Sequence, residues 1–490
     1  MHTASRLTLT ALAIGVAGIL AAGQADASGF QIRENSVKNL GRANAGTTVA
    51  WGDASVVLNN PAAMVNLDKT TLQADVTVID LTADFDGTAT TAVGTPVSGG
   101  DGGDPGDATL VPAMAAVFPL SGGLDNVTLG VSVSAPFGLK TEYDPSWVGR
   151  YSAITSDVKT IDLTMSAAIA FTERFSVGLG LIYQHADVTL SNAVDFGTAL
   201  CVGNPPNPAN CFNPAYPFQP QGSDALATVK GDDNDWGWVA GVQFRPSDSV
   251  AIGYAHRSEI HHTLTGTATF DHSDPSVPAT FGALGVHTYD NGPIWANLDT
   301  PATDTVSVQW NVNDGFRLMA DAQLTGWSSL AAVEIYRPGG APLAQEPFNW
   351  EDTWFYSVGG EWDLSDAFTF RAGVGFDETP TNDAARTPRL PDNDRMVYTL
   401  GMTWNVSEAL SVDAAYMRVQ IDSPSVNTTS SSGVHLVGDF DGHADLLGIS
   451  AQYRFCSTVA TQDEKPRFGG AFLWCSVPGR RRSGQILVAT

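Results

Sequence analysis

The sequence holds few residues placed for covalent chemistry. Gly130-Val131-Ser132-Val133-Ser134 comes nearest to the G-x-S-x-G elbow of a serine hydrolase but lacks its final glycine. The chain contains no H-E-x-x-H pair and no phosphate-binding glycine loop. His261 and His262 are adjacent, and in a strand such neighbours point to opposite faces, so they do not share a metal ion. Cys201 and Cys211 flank a Pro/Asn-rich stretch and either close one small loop or remain two thiols. No His or further Cys stands beside them at zinc-ligand spacing. The expectation is therefore no enzyme, no metal and no cofactor. The non-covalent candidates are Arg257, Arg317 and Arg371, each on the polar face of an alternating segment. A guanidinium there either grips an anionic head group or forms ion pairs with Asp321, Glu361 and Asp377.

The elements that carry these residues alternate with period two. Phe368, Phe370, Ala372, Val374 and Phe376 interleave with Thr369, Arg371, Gly373, Gly375 and Asp377. Met396, Tyr398, Leu400, Met402 and Trp404 interleave with Val397, Thr399, Gly401 and Thr403. Successive strand side chains point to opposite faces. A soluble sandwich alternates too, but three features favour a transmembrane barrel. One face stays small or charged in strand after strand, aromatics gather near segment ends, and short connections such as Asn313-Asp314-Gly315 alternate with long ones such as 193–226 and 271–297. Segmentation predicts about fourteen antiparallel strands over 69–455, closed so that every backbone group is paired within the protein.

The flanks differ from this pattern. Arg6, an apolar run from Leu7 to Leu20 and Ala25-Asp26-Ala27 read as a secretory signal over 1–27, cleaved before Ser28. After it, no run reaches the ~18 apolar residues of a membrane helix. Residues 28–68 are small and helix-like, and predict a compact helical plug within the barrel. Residues 456–490 follow a strand ending on Phe455 and form an extension of unassigned role. Net charge is −27, with 25 Lys plus Arg against 52 Asp plus Glu, which argues against nucleic-acid partners. A diffusion porin for polar solutes and a surface adhesin stand as alternatives to a channel for hydrophobic compounds.

Several motifs in order resemble the FadL family of outer-membrane long-chain fatty-acid transporters, which includes channels for toluene-type hydrocarbons. They are Ser28-Gly29-Phe30-Gln31-Ile32, Asn60-Pro61-Ala62, Arg257-Ser258-Glu259, Gly326-Trp327-Ser328, Arg371-Ala372-Gly373, Phe376-Asp377-Glu378-Thr379-Pro380 and Pro391-Asp392-Asn393-Asp394-Arg395. The resemblance implies a monomeric, all-β, 14-stranded barrel in the bacterial outer membrane, among its lipid and lipopolysaccharide, with an N-terminal hatch. It implies capture of a fatty acid or other hydrophobic small molecule between outer loops, and release sideways through the wall. On this basis Phe30 is a ligand contact, Asn60, Pro61 and Ala62 form the hatch motif, and Gly130 in the third strand marks the lateral opening. The sequence departs from the family at the carboxylate clamp. Asp187-Val188-Thr189-Leu190 has no base and Ala331-Ala332-Val333-Glu334 carries an acid, so Arg257, Arg317 and Arg371 are the substitutes, or the ligand is an uncharged hydrocarbon.

Overall fold

The computed structural model describes residues 29–455, apart from Ala50, Asn204, Pro205 and Ala341. The expected signal, the start at Ser28 and the 456–490 extension lie outside the described residues. No helix among the described residues is long and apolar enough to cross a membrane.

Strands do the work. They are β1 (Thr71–Thr90), β2 (Thr109–Pro119), β3 (Val127–Ser134, resuming as Gly138–Glu142), β4 (Thr155–Thr172), β5 (Phe175–Asp195) and β6 (Asp224–Phe244). Next come β7 (Val250–Arg257 and Ile260–His272), β8 (Gly292–Thr300 and Thr303–Asn313), β9 (Phe316–Thr325 and Ala332–Tyr336) and β10 (Pro342–Pro347 and Thr353–Asp363). The last four are β11 (Phe368–Asp377), β12 (Arg395–Asn405), β13 (Leu410–Ile421 and Ser425–Thr429) and β14 (His435–Arg454). Each pairs antiparallel with its neighbour, and β1 closes on β14 without a gap from Thr71–Arg454 to Thr90–His435. The result is a closed 14-stranded antiparallel barrel. Closure leaves no sheet edge to be satisfied by water, which is the condition for strands in hydrocarbon.

The faces are sorted as a bilayer requires. Leu400 is 64% exposed on the outside while its neighbour Thr399 is buried at 5%. The sorting then inverts along the long strands. On β1, Val76 and Val78 face out and Asp75 and Thr77 face in; beyond them Asp80 and Asp84 face out while Ile79, Leu81 and Phe85 are buried. On β14, Ile449 and Leu447 face out and Ser450 faces in, whereas Leu446 and Ala444 are buried above them. Outward apolar side chains are stable only against lipid, so the inversion marks the outer membrane surface. Below it the lumen is polar; above it the lumen is apolar and the outer wall is wet.

Residues 29–67 lie against the inward faces. They include α1 (Val37–Leu40), α2 (Val56–Asn59) and a 3₁₀ turn, Pro61–Asn66. Gly359, Gly373 and Gly401 on β10, β11 and β12 form their seat: a Cβ on Gly373 would stand 2.4 Å from the carbonyl carbon of Arg42, and one on Gly401 would stand 2.8 Å from Gly41 Cα. Arg42 reaches down from that seat to Glu361 at 2.5 Å, and Glu361 also binds Arg371 at 2.8 Å and Arg317 at 3.0 Å. Arg371 continues to Asp413 at 3.4 Å.

Candidate functional site

The apolar upper lumen gathers around Phe30. Its ring lies 4.9 Å from Trp327, 5.8 Å from Trp350 and 5.9 Å from Phe137, centroid to centroid. Leu139, Leu264, Leu298, Leu330 and Leu390 complete the cluster. Trp327 reaches it because β9 breaks after Thr325 into the short 3₁₀ turn Trp327–Ser329, which turns the indole inward.

β3 breaks beside this cluster. The β2–β3 ladder ends at Met114–Val133, and Ala135-Pro136-Phe137 separates the two parts of β3. Proline lacks the donor a ladder needs, so a break at Pro136 is the expected place for one. Thr160 of β4 satisfies the backbone there, accepting from Phe137 N at 3.0 Å and donating to Phe137 O at 2.8 Å. Residues 30–32 pair with the break from the lumen side: Ile32 N donates to Pro136 O and Gly138 N donates to Phe30 O, both at 2.7 Å. Phe30 is thus fixed to the very segment where the wall is interrupted. From the other side, Gly29 N donates to Asp392 Oδ2 at 3.0 Å.

Arg257 is the cation of this site. Its Nη1 binds Asp162 Oδ2 at 2.7 Å, and its guanidinium lies 5.8 Å from the Phe137 ring. Its Nε and Nη2 are buried and, among the described residues, have no hydrogen-bond partner; the same holds for Trp327 Nε1. A cavity of about 70 Å³ separates Arg257 from Gln31, Ile32, Arg33 and Gln323. Arg33 itself is committed to Asp377 at 2.8 Å. A buried, unsatisfied N–H costs ~1–3 kcal/mol, and more when charged. The cavity lining is mostly polar and includes Asp321, with Ile32, Pro136, Val239 and Phe355 in its apolar part.

The other sequence candidates fall elsewhere. Arg317 and Arg371 share Glu361 beneath the N-terminal segment, where a charged vestibule of about 720 Å³ opens between the short turns. They form the lumen ion pairs, though Asp321 and Asp377, also expected as partners, bind Thr47 and Arg33 instead. Gly130 is not at the wall break. It is paired on both sides, to Val117 and Ser166, and a Cβ there would strike Met64 Sδ at 2.5 Å. Its glycine signal reports close approach of the N-terminal segment, and the interruption comes at Ala135-Pro136-Phe137. Asn60 Oδ1 accepts from Ala62 N at 3.1 Å, and Asn60 Nδ2 donates to Thr48 O at 2.7 Å and Val242 O at 3.2 Å. Pro61 and Ala62 press on Gly178, which is paired directly with Gly241 under Asn60. The motif therefore anchors the segment to β5 and β6. His261 faces out at 71% side-chain exposure, while the buried His262 bonds Gln184 at 2.9 Å.

The sequence analysis places Asp392 in a motif without a role, and does not single out Trp350 or Arg389. Arg389 is buried in the loop after β11, donating to Thr155 O at 3.2 Å and Asn192 Oδ1 at 3.2 Å, and burial pushes its guanidinium below the usual range. Its only signal was an arginine in a proline-flanked stretch of that loop. The outer loops carry further aromatic surface. Cys201 and Cys211 are bonded, and hold α3 (Phe196–Val202) so that Phe196 packs on Phe281 at 5.0 Å, a ring of α4 (Ser276–Leu284). A cleft of about 560 Å³ lies beside them, lined by Pro145, Arg150, Ile154, Leu226 and His272, whose ring is 5.4 Å from Phe196.

Comparison with known proteins agrees with this architecture. A family model described as "Outer membrane protein transport protein (OMPP1/FadL/TodX)" matches residues 18–455. The long-chain fatty acid transport protein of Escherichia coli (strain K12) is 27% identical over 477 residues, covering 93% of this chain and all of that protein. A putative outer membrane protein of Neisseria meningitidis serogroup B is 28% identical, covering 92% of this chain and all of its own. Among solved structures, a Pseudomonas aeruginosa FadL homologue superposes with TM-score 0.80 at 29% identity, covering 87% of this chain and 100% of that one. The Pseudomonas putida toluene transporter TodX shares the fold, with TM-score 0.61 at 14% identity over 87% of this chain and 99% of its own.

Proposed function

Because the chain belongs to the OMPP1/FadL/TodX family of outer-membrane transport proteins, a family of transport channels and not of enzymes, we propose that it carries long-chain fatty acids passively across the outer membrane. The observation that carries this reading is Arg257, a guanidinium with two unpartnered N–H groups beside the Phe30 cluster. A carboxylate satisfies those donors with charge-assisted hydrogen bonds, and its alkyl chain lies among Phe30, Phe137, Trp327 and Trp350. A hydrocarbon would leave the donors orphaned.

The ligand is first taken up in the cleft between the outer loops and then passes down the apolar upper lumen. It does not continue straight through. Below Phe30 the lumen is the ion-paired floor of Arg42, Glu361, Arg371 and Asp413, and a chain entering it would forfeit ~0.8 kcal/mol per CH₂. The interruption at Ala135-Pro136-Phe137 offers a path that stays apolar. Release there requires Phe30 and Ile32 to leave Gly138 and Pro136, so residues 28–68 act as a hatch. The closed barrel has no free edge, and a monomer among outer-membrane lipid and lipopolysaccharide suffices.

Uptake of labelled oleate by a host lacking its own outer-membrane transporter tests this. The protein should restore uptake; restoration for toluene or an alkane but not for oleate would overturn the fatty-acid assignment and favour a hydrocarbon channel.

A further inference from the structure

The wall is interrupted a second time, between β6 and β7. The two strands pair from Phe244–Ile252 to Val239–Arg257 and again from Asp232–Thr265 to Ala225–His272. Between those ladders one further backbone bond, from Ser258 N to Trp238 O at 2.9 Å, crosses the seam, and residues 233–237 and 259–264 have no ladder partner across it. Each side is held by its other neighbour instead, 233–238 by β5 and 260–264 by β8. β7 breaks at Ser258-Glu259, level with the break of β8 at Pro301-Ala302. The outer part of the β7–β8 pair therefore joins its own lower part through these four residues, and is tied to β6 by the ladder from Ala225–His272 to Asp232–Thr265.

Side chains stand in for the missing rungs. Asp233 Oδ2 accepts from Thr263 N at 3.1 Å and meets His262 Nδ1 at 3.1 Å, and Ser258 Oγ accepts from Trp238 N at 3.0 Å. The opening itself is filled by one apolar side chain. Ile260 is buried with Ile182 and Val239 and occupies the space left by Gly237, where a Cβ would stand 2.6 Å from Ile260 Cδ1. On the inner side Leu264 and Ala186 belong to the Phe30 cluster. On the outer side Trp236 and Trp238 are 53% and 45% exposed, with Tyr183 5.0 Å from Trp236. The seam thus joins the apolar lumen to an aromatic belt at the outer leaflet, with Ile260, packed on Ile182 and Val239, between them.

We propose that this seam is a second alkyl-chain site in the barrel wall. The tail of a ligand held at Phe30 displaces Ile260 and lies between β6 and β7, its end among Trp236 and Trp238. The site takes an unbranched hydrocarbon chain. Its head group stays in the lumen, because Asp233 and Ser258 at the seam are already used to replace backbone rungs. The seam differs from the β3 interruption in what closes it: there the backbone of residues 30–32 does so, here a side chain. The proposal rests on the transport reading above.

A fatty acid with a diazirine at its terminal carbon tests it on the full-length protein in lipid vesicles, with unlabelled oleate as competitor and labelled peptides mapped by mass spectrometry. Competitor-sensitive label is expected on 236–238 and 258–262 in addition to Phe30 and Phe137. It should disappear from the seam in Ile260→Trp. If that variant does not fold, as judged by heat-modifiable gel migration, Gly237→Ala fills the same space with a methyl group and should reduce the label. Competitor-sensitive label confined to Phe30, Phe137 and Pro136 overturns the seam and leaves the transport reading standing. Seam label that oleate does not compete marks contact with bulk lipid and also overturns it. Absence of competitor-sensitive label at every position overturns both.

Discussion

The backbone N–H of Gly29 donates to Oδ2 of Asp392 at 3.0 Å, joining residues 363 positions apart. Asp392 is itself fixed by Arg395 Nε at 2.7 Å and by Thr379 Oγ1 at 2.7 Å. One carboxylate thus ties the outer loop after β11 to the residue that precedes Phe30, and holds the aromatic in the mouth of the β3 interruption.

Asp392→Ala should therefore loosen Phe30. The buried Gly29 N–H loses its acceptor, at a cost of ~1–3 kcal/mol. Bound oleate should dissociate faster than from the unmodified protein in stopped-flow tryptophan fluorescence, with Trp327 and Trp350 as reporters. An unchanged dissociation rate would show that Asp392 does not restrain the N-terminal segment.

Arg257→Met should separate acids from neutral ligands. Hydrogen bonds to charged groups contribute ~1.5–3 kcal/mol, so oleate affinity should fall by about 10- to 100-fold. Methyl oleate has no charge to lose and should bind equally well to both proteins. The measurement is equilibrium binding of the two ligands; a parallel loss for both would assign Arg257 a packing role.

Ala135→Glu should separate binding from passage. Ala135 is buried at the β3 interruption, where a carboxylate obstructs an alkyl chain without touching the Phe30 rings. Oleate should bind to the purified variant, whereas uptake by cells should be lost. Retained uptake would exclude this interruption as the exit.

Gly373→Val should unseat the N-terminal segment. The added side chain meets the backbone of Arg42 at 2.4 Å, and overpacking of this kind costs ~1–3 kcal/mol. The loss should appear as a lower midpoint for heat-modifiable gel migration. Substitution of the outward-facing Leu400 by Val, against lipid, should leave that midpoint unchanged.

The barrel was legible because strand alternation repeats at two residues without drift, so Phe370 and Leu400 announce one face and Arg371 and Thr399 the other. What alternation does not carry is depth. Arg257, Arg317 and Arg371 all read as inward, but only Arg257 stands above the ion-paired floor. The inversion of polarity at Val78–Asp80 was present in the sequence and easily passed over, because an inverted strand still alternates. The interruption at Pro136 has a local cue in the proline, whereas Gly130, the expected place, is a glycine because Val57 and Met64 approach it. Trp350 lies far from Phe30 in sequence and nothing local to it announces their contact, while the motif Pro391-Asp392-Asn393-Asp394-Arg395 marks Asp392 without showing that it meets Gly29.

The most direct test of the account is the structure of the protein crystallised with oleate. Density for the carboxylate should lie within hydrogen-bonding distance of Arg257 Nε or Nη2, with the chain among Phe30, Phe137 and Trp327. Oleate bound only between the outer loops, with Arg257 still facing an unfilled cavity, would contradict it.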